Sequence, residues 1–251
     1  MLSKDEINVF DRQIMMPELG MEGQKKLKKS RIFIAGAGGL GSPAAFYLAA
    51  AGVGTIVIAD NDTVEASNLN RQILHWQKNI GNKKVESARE KISSLSGFIN
   101  IETVDETLTD NNIEGLTEGC DAIVDAMDNI ATRFALNKAA INWNIPLFHG
   151  AVNGMEGRVT TIIPGKTACI GCMYRPDVKL SKFPVLGVTP GLTGIIQATE
   201  VIKYITGIGD LLENRLLIYD GMDLKFKEFR LNRNPECTEC NKVVYQSPVG
   251  E

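Results

Sequence analysis

Short apolar runs alternate with helix-period segments from residue 31 onward. Five runs, at 31–35, 55–59, 100–104, 122–125 and 146–149, have the length of strands and are built on β-branched and aromatic side chains. Between them, 42–51, 83–95 and 131–143 repeat apolar residues at helical spacing. Strand and helix in alternation predict a parallel, doubly wound sheet, because parallel strands need a crossover that a helix supplies. Before residue 31 the stretch 3–29 is charged and helix-prone, and Pro17 and Gly20 predict two short helices. After residue 149 polar residues interleave the apolar ones. The runs 156–163, 215–220 and 225–231 predict antiparallel strands added to the sheet. A helix over 193–206 follows the Pro190-Gly191 breaker, and 173–189, with two prolines, reads as a connecting loop of a length found most often at functional segments.

The 251 residues are 44% hydrophobic, ample for a buried core. A net charge of -3 gives no electrostatic reason to expect nucleic acid or an acidic membrane as partner. The N-terminus MLSKDEINVF lacks the apolar core of a signal peptide, and no run approaches the roughly 20 apolar residues that cross a bilayer, so a cytoplasmic protein is expected. In a reducing cytosol the pairs Cys169-x-x-Cys172 and Cys237-x-x-Cys240 read as metal ligands before they read as bridges. Four thiolates suit a tetrahedral structural zinc with no open position for chemistry, which would clamp the C-terminal tail to the loop after Ile163. Cys120 is left over as a small buried residue.

Candidate chemistry concentrates after the first strand. Gly36, Gly38 and Gly41 in Gly-Ala-Gly-Gly-Leu-Gly open onto an Ala-rich helix, the context in which backbone approaches phosphate at a helix N-terminus. Asp60 ends the next strand, where a carboxylate accepts from ribose hydroxyls; the plainer reading is a strand-end turn residue. Up to this point an NAD-dependent reductase is the default reading. The sequel Ser67-Asn68-Leu69-Asn70-Arg71-Gln72 is too polar for a core helix, and its guanidinium can fork across two phosphate oxygens. Lys84, starting a helix, is a ligand to another phosphate or to the ribose edge, or else, taken alone, a solvated surface lysine. Since the glycine loop already serves a pyrophosphate, an added Arg and Lys point to a third phosphate. Asp125 and Asp128 follow a buried strand, where loops line the ligand crevice, and a carboxylate beside a triphosphate holds magnesium. His75 and His149 have no metal-site spacing and read as core or loop residues, with His149 close enough to a strand end to touch substrate.

The segments DRQI at 11–14, GAGGLGS at 36–42, AGVGTIVIADNDTVEASNLNRQ at 51–72, GNKKVESA at 81–88, DAMDNIATR at 125–133, CIGC at 169–172 and NPECTEC at 234–240 carry a resemblance. In order and spacing they resemble the ubiquitin-activating-enzyme-like (ThiF/MoeB/HesA) adenylyltransferases, most closely the branch that activates the molybdopterin sulfur carrier. The resemblance implies an α/β, Rossmann-like, mainly parallel sheet extended by antiparallel strands, with structural zinc. It implies one adenylation domain over 1–251: a helical arm at 1–30, a nucleotide half at 31–150, and a zinc- and substrate-binding half at 151–251. Gly36, Gly38, Gly39 and Gly41 would lie along the ATP phosphates, Asp60 would hold the ribose, and Asp62, Ser67, Asn70 and Gln72 would complete the nucleotide site. Asn68, Arg71 and Lys84 would bind phosphates, and Asp128 would coordinate magnesium with Asn129 beside it. Arg12 would reach the terminal phosphates from the partner subunit of a homodimer. Arg12, Arg71, Lys84 and Asp128 would then carry catalysis, in which a carboxylate attacks the α-phosphorus and pyrophosphate leaves. Such a reaction needs alignment and charge neutralisation, not a protein nucleophile.

Members of the family that pass the acyl group through a thioester or acyl-disulfide use a cysteine whose position falls near Lys182, and no cysteine lies between Cys172 and Cys237. Adenylation without a covalent enzyme intermediate is expected. The carboxylate belongs either to the C-terminal glycine of a ubiquitin-like sulfur carrier or to a small molecule. The guanylylpyridinol precursor of the iron-guanylylpyridinol cofactor is the small-molecule precedent, with a separate protein as acyl acceptor, and Arg175 and Lys182 would suit an anionic acid. A nucleotide-binding scaffold without catalysis is the remaining alternative, opposed by the joint presence of Arg12, Arg71, Lys84 and Asp128.

Overall fold

Apolar residues at successive positions give the central strands two buried faces. In β1 (Arg31–Ala35), Ile32 and Ile34 face one way and Phe33 and Ala35 the other; in β2 (Thr55–Ala59), Ile56 and Ile58 oppose Val57 and Ala59. The computed structural model describes residues 1–177, 183–241 and 243–245. Those strands continue in β3 (Asn100–Val104), β4 (Ala122–Asp125), β5 (Leu147–Asn153), β6 (Glu156–Ile162), β7 (Arg215–Asp220) and β8 (Lys225–Arg230). Together they form one eight-stranded sheet in the order β3-β2-β1-β4-β5-β6-β7-β8. The first five strands are parallel and the last three antiparallel.

Helices cover both faces. The arm contributes α1 (Lys4–Val9), α2 (Asp11–Ile14) and α3 (Gly20–Lys29), three helices where two are expected, because Phe10 is buried and turns the chain between α1 and α2. α3 joins α4 (Gly41–Ala51), α5 (Lys84–Leu95) and α9 (Val188–Thr206) on the face of Ile32 and Ile56. The opposite face, with Phe33 and Val57, is covered by α6 (Ile113–Leu116), α7 (Ile130–Trp143) and α8 (Ile170–Met173).

Two boundaries differ from expectation. The strand predicted over 146–149 runs on to Asn153, pairing with β6 from Leu147 opposite Ile162 to Asn153 opposite Glu156. Gly150, just past the expected strand end, is a strand residue paired with Val159, and its lack of a side chain leaves room for the buried Gln197, from whose Cδ a Cβ here would stand 2.6 Å. The helix predicted to start at 193 is α9 (Val188–Thr206), with Pro190 inside its first turn. A proline there lacks only an N–H that a first turn leaves unpaired, so it begins the helix and does not break it.

Candidate active site

β1, β2 and β3 step toward one edge of the sheet, and β4 and β5 step toward the other. The loops after β1 and β4 therefore part company and leave a crevice at the carboxyl ends of the strands, the place where doubly wound sheets take ligands. A cavity of about 470 Å3 opens there. Its walls include Gly36, Gly38 and Gly39, Asp60 and Asp62, Arg71 and Gln72, Lys84, and the loop Ala126 to Asn129.

The glycine loop is held by its neighbours. Gly36 has φ 99°, in the left-handed region that favours glycine, and a Cβ on Gly41 would overlap the Gly36 carbonyl oxygen. Asp60 Oδ2 accepts from the Ala37 amide at 2.8 Å and Oδ1 from the Asp62 amide at 2.9 Å. His75 is buried, with Nε2 at 2.9 Å from the Ala37 carbonyl oxygen and Nδ1 at 3.0 Å from Ser87 Oγ. Burial lowers its pKa below the ordinary histidine value, so it is neutral; Nε2 then donates to Ala37 and Nδ1 accepts from Ser87. Among the described residues nothing accepts from the amides of Gly38, Gly39 and Leu40, which lie at the N-terminus of α4. Buried Gln72 Oε1 has no hydrogen-bond partner. Open amides at a helix N-terminus form a phosphate cradle.

The charged residues divide. Lys84 is buried, with Nζ at 2.7 Å from Asp62 Oδ2 and 4.0 Å from Asp60 Oδ2. Arg71 lines the cavity with Nη1 donating to the Ser67 carbonyl and to Asn70 Oδ1. Asp128 is exposed, lines the cavity, and has no described hydrogen bond or ion pair. Asn129 lines it too, but its Oδ1 caps α7 by accepting from the Thr132 amide at 2.9 Å. Ser67, Asn68 and Asn70 stand outside the lining. Asn68 Oδ1 accepts from the Glu65 amide and closes its own turn, Ser67 Oγ donates to Glu65, and Asn70 serves Arg71. Arg12 is exposed on α2 and does not line the cavity of its own chain. Lys182 lies outside the described residues.

Sequence reasoning missed the walls supplied by distant segments: Glu106, Thr107 and Leu108 after β3, Val152 on β5, and Phe183, Val185 and Pro190 ahead of and within α9. Only the proline pair and the weak patterning of 173–189 signalled the last group. A second cavity, of about 300 Å3, shares Leu40, Met127, Asp128, Val152 and Phe183 with the first. The two spaces thus meet at Asp128.

On the face of the sheet that carries Phe33 and Val57, the sulfurs of Cys169, Cys172, Cys237 and Cys240 lie within 4.8 Å of one another. Neighbouring sulfurs are 3.6 to 3.9 Å apart, against about 3.8 Å for the edge of a zinc–thiolate tetrahedron with bonds of about 2.3 Å. The Asn234 amide donates to Cys172 Sγ. Burial and the neighbouring Cys172 push the Cys169 thiol up, so a full set of thiolates at this spacing requires a cation at its centre. Chemistry and spacing of the donor set fit zinc.

No helix among the described residues is long and apolar enough to cross a membrane. Solved structures with the same fold include E. coli MccB, with TM-score 0.85 and 22% identity over 96% of this chain and 76% of that one. PaaA matches with TM-score 0.82 and 23% identity over 92% of this chain and 84% of that one. The SAMP-activating enzyme E1 of Haloferax volcanii is 40% identical over 247 residues, covering 96% of this chain and 91% of that enzyme. The adenylyltransferase and sulfurtransferase MOCS3 of Anopheles gambiae is 40% identical and MOCS3-1 of Zea mays 38%, each over 96% of this chain. The chain spans about half the length of those two proteins, 56% and 53%. The ThiF family model matches residues 10–239, and with the 40% identical Haloferax volcanii relative it shows that this chain belongs to the ThiF family of ubiquitin-activating-enzyme-like adenylyltransferases.

Proposed function

We propose that this chain adenylates the C-terminal glycine of a ubiquitin-like sulfur carrier, using ATP and magnesium. The observation that carries the reading is the pair of cavities meeting at Asp128: one walled by open amides, Arg71 and Lys84, the other free to take the carboxylate. The Haloferax volcanii relative, named for activating SAMP, supports the choice of substrate. The amides of Gly38, Gly39 and Leu40 hold phosphate oxygens, Lys84 and Arg71 neutralise the leaving pyrophosphate, and Asp60 turns its remaining lone pairs to the ribose. Asp128, an exposed carboxylate without a hydrogen-bond or ion-pair partner among the described residues, fits magnesium, which is bound through one or two carboxylates plus substrate phosphates and would offset charge at the reacting phosphorus. A carboxylate substrate is already ionised at neutral pH, so the protein need only align it. Arg12, exposed and outside the lining of its own chain's cavity, reaches the phosphates of the partner in a homodimer. With no cysteine between Cys172 and Cys237, the acyl-adenylate is handed on directly.

The test is ATP–pyrophosphate exchange with a carrier ending in Gly-Gly beside pyridinol-type small carboxylates. Exchange with the carrier is expected; exchange supported only by a small acid would transfer the same chemistry to that substrate.

A further inference from the structure

Behind the second cavity lies a buried polar chain that adenylation as derived above leaves unused. Asp125, at the end of β4, and His149, on β5, are both fully buried, and His149 Nδ1 is 2.6 Å from Asp125 Oδ2. His149 Nε2 is 3.0 Å from the hydroxyl of Tyr174, which lines the second cavity. The other Asp125 oxygen accepts from the Met127 amide, and Arg133 bridges the Met127 and Gly150 carbonyls with its Nε 3.5 Å from Asp125.

Proton positions follow from the ends of this chain. A carboxylate only accepts, so Nδ1 carries the imidazole proton. Burial holds the ring neutral, leaving Nε2 as a bare acceptor to which Tyr174 must donate. Among the described residues that is the only hydrogen bond of the Tyr174 hydroxyl. Its single proton is committed inward, and only oxygen lone pairs remain for a ligand.

We propose that Tyr174 is a specificity-determining residue whose oxygen accepts a hydrogen bond from a peptide N–H of the substrate tail, in the last two peptide bonds before the reacting carboxyl. The inference rests on the carrier reading above. It follows from the size and place of the second cavity: about 300 Å3, joined to the nucleotide site at Met127 and Asp128, it accommodates a short narrow segment next to the carboxyl. An acceptor fixed by buried partners favours an amide and penalises a group that presents only lone pairs.

The experiment compares a Gly-Gly-ending sulfur carrier with two semisynthetic versions, in which the last or the next-to-last peptide bond is replaced by an ester. Wild-type enzyme is expected to lose about tenfold in kcat/KM with one ester, and Tyr174→Phe to bring that ester and the amide within about twofold. Equal use of the amide and both esters by wild type, which needs no variant to fold, overturns the inference. So does a penalty that persists in Tyr174→Phe. Absence of exchange with the unmodified carrier overturns the carrier reading and this inference with it, a result distinct from equal exchange with all three.

Discussion

Replacing Lys84 by methionine separates the lysine's part in binding from its part in folding. The ammonium is buried, but its nearest partner, Asp62, has a side chain 64% exposed, so Asp62 returns to water when the pair is broken. A pair of that kind contributes about 0–1 kcal/mol, and methionine keeps most of the buried stem. For a chain of this size the melting temperature should fall by no more than about 4 °C. Binding loses more. One charge-assisted hydrogen bond to phosphate is worth about 1.5–3 kcal/mol, or about 10- to 150-fold in rate. Asp60, 4.0 Å from the ammonium, and Asp62 would then face phosphate without a counter-charge, which acts in the same direction. ATP–pyrophosphate exchange at varied ATP, run beside thermal unfolding, reads both quantities. Exchange within threefold of wild type would remove Lys84 from the phosphate site, and a melting drop above about 10 °C would make it chiefly structural.

Other expected outcomes are as direct. Gly41→Ala places a methyl on the Gly36 carbonyl, so unfolding in denaturant should show a loss near about 3 kcal/mol and calorimetry no ATP binding; unchanged stability would contradict the loop packing. One zinc per chain is expected by elemental analysis, with a lower melting temperature after chelation; metal-free protein of unchanged stability would argue against a zinc clamp. Burial pulls the Glu6 carboxyl up, but Lys28 and the Ser3 cap pull it further down, so its net pKa is below the ordinary carboxylate value. Its stabilisation is therefore present above the ordinary carboxylate pKa and lost as pH falls through the depressed one. Glu6→Gln should flatten that acid limb of stability, and an unaltered limb would show that the pair contributes nothing.

Legibility from sequence followed the range of the forces involved. β1, β2 and β4 were readable because two-sided burial demands apolar runs, and α4 because its Ala-rich segment ends at Gly52, a left-handed cap. The strand end expected before Gly150 and the break expected at Pro190 both misled. The true setting of these two residues is the close approach of Gln197 in one case and a first-turn position in the other. Within the site, Asp60 and Asp128 sit just beyond strands and Lys84 at a helix start, while Arg71 and Gln72 reach the crevice from the long connection between β2 and α5. Ser67, Asn68 and Asn70 have the same polar chemistry but bond to their own turn or to Arg71, a competition that motif spacing does not reveal. The walls from 106–108 and 183–190 depend on chain returning from elsewhere in the sequence, and the prolines and weak patterning of 173–189 are the one local sign of them.

β5 has a consequence for how such a protein can be altered. Its first three residues pair in parallel with β4 while its whole length pairs antiparallel with β6, and the division expected at residue 150 falls inside it. The nucleotide half and the zinc half share this one strand as a common rail. Chimeras joined at 150 would have to match twist and phase on both sides at once, because a slip of one residue exchanges the two faces of the strand. His149 and Gly150 would swap sides, and the Asp125 contact would be lost. Recombination with a relative should therefore succeed at the hairpin beyond Asn153 and fail within β5, which makes this strand a boundary on modular exchange as well as a support for the site.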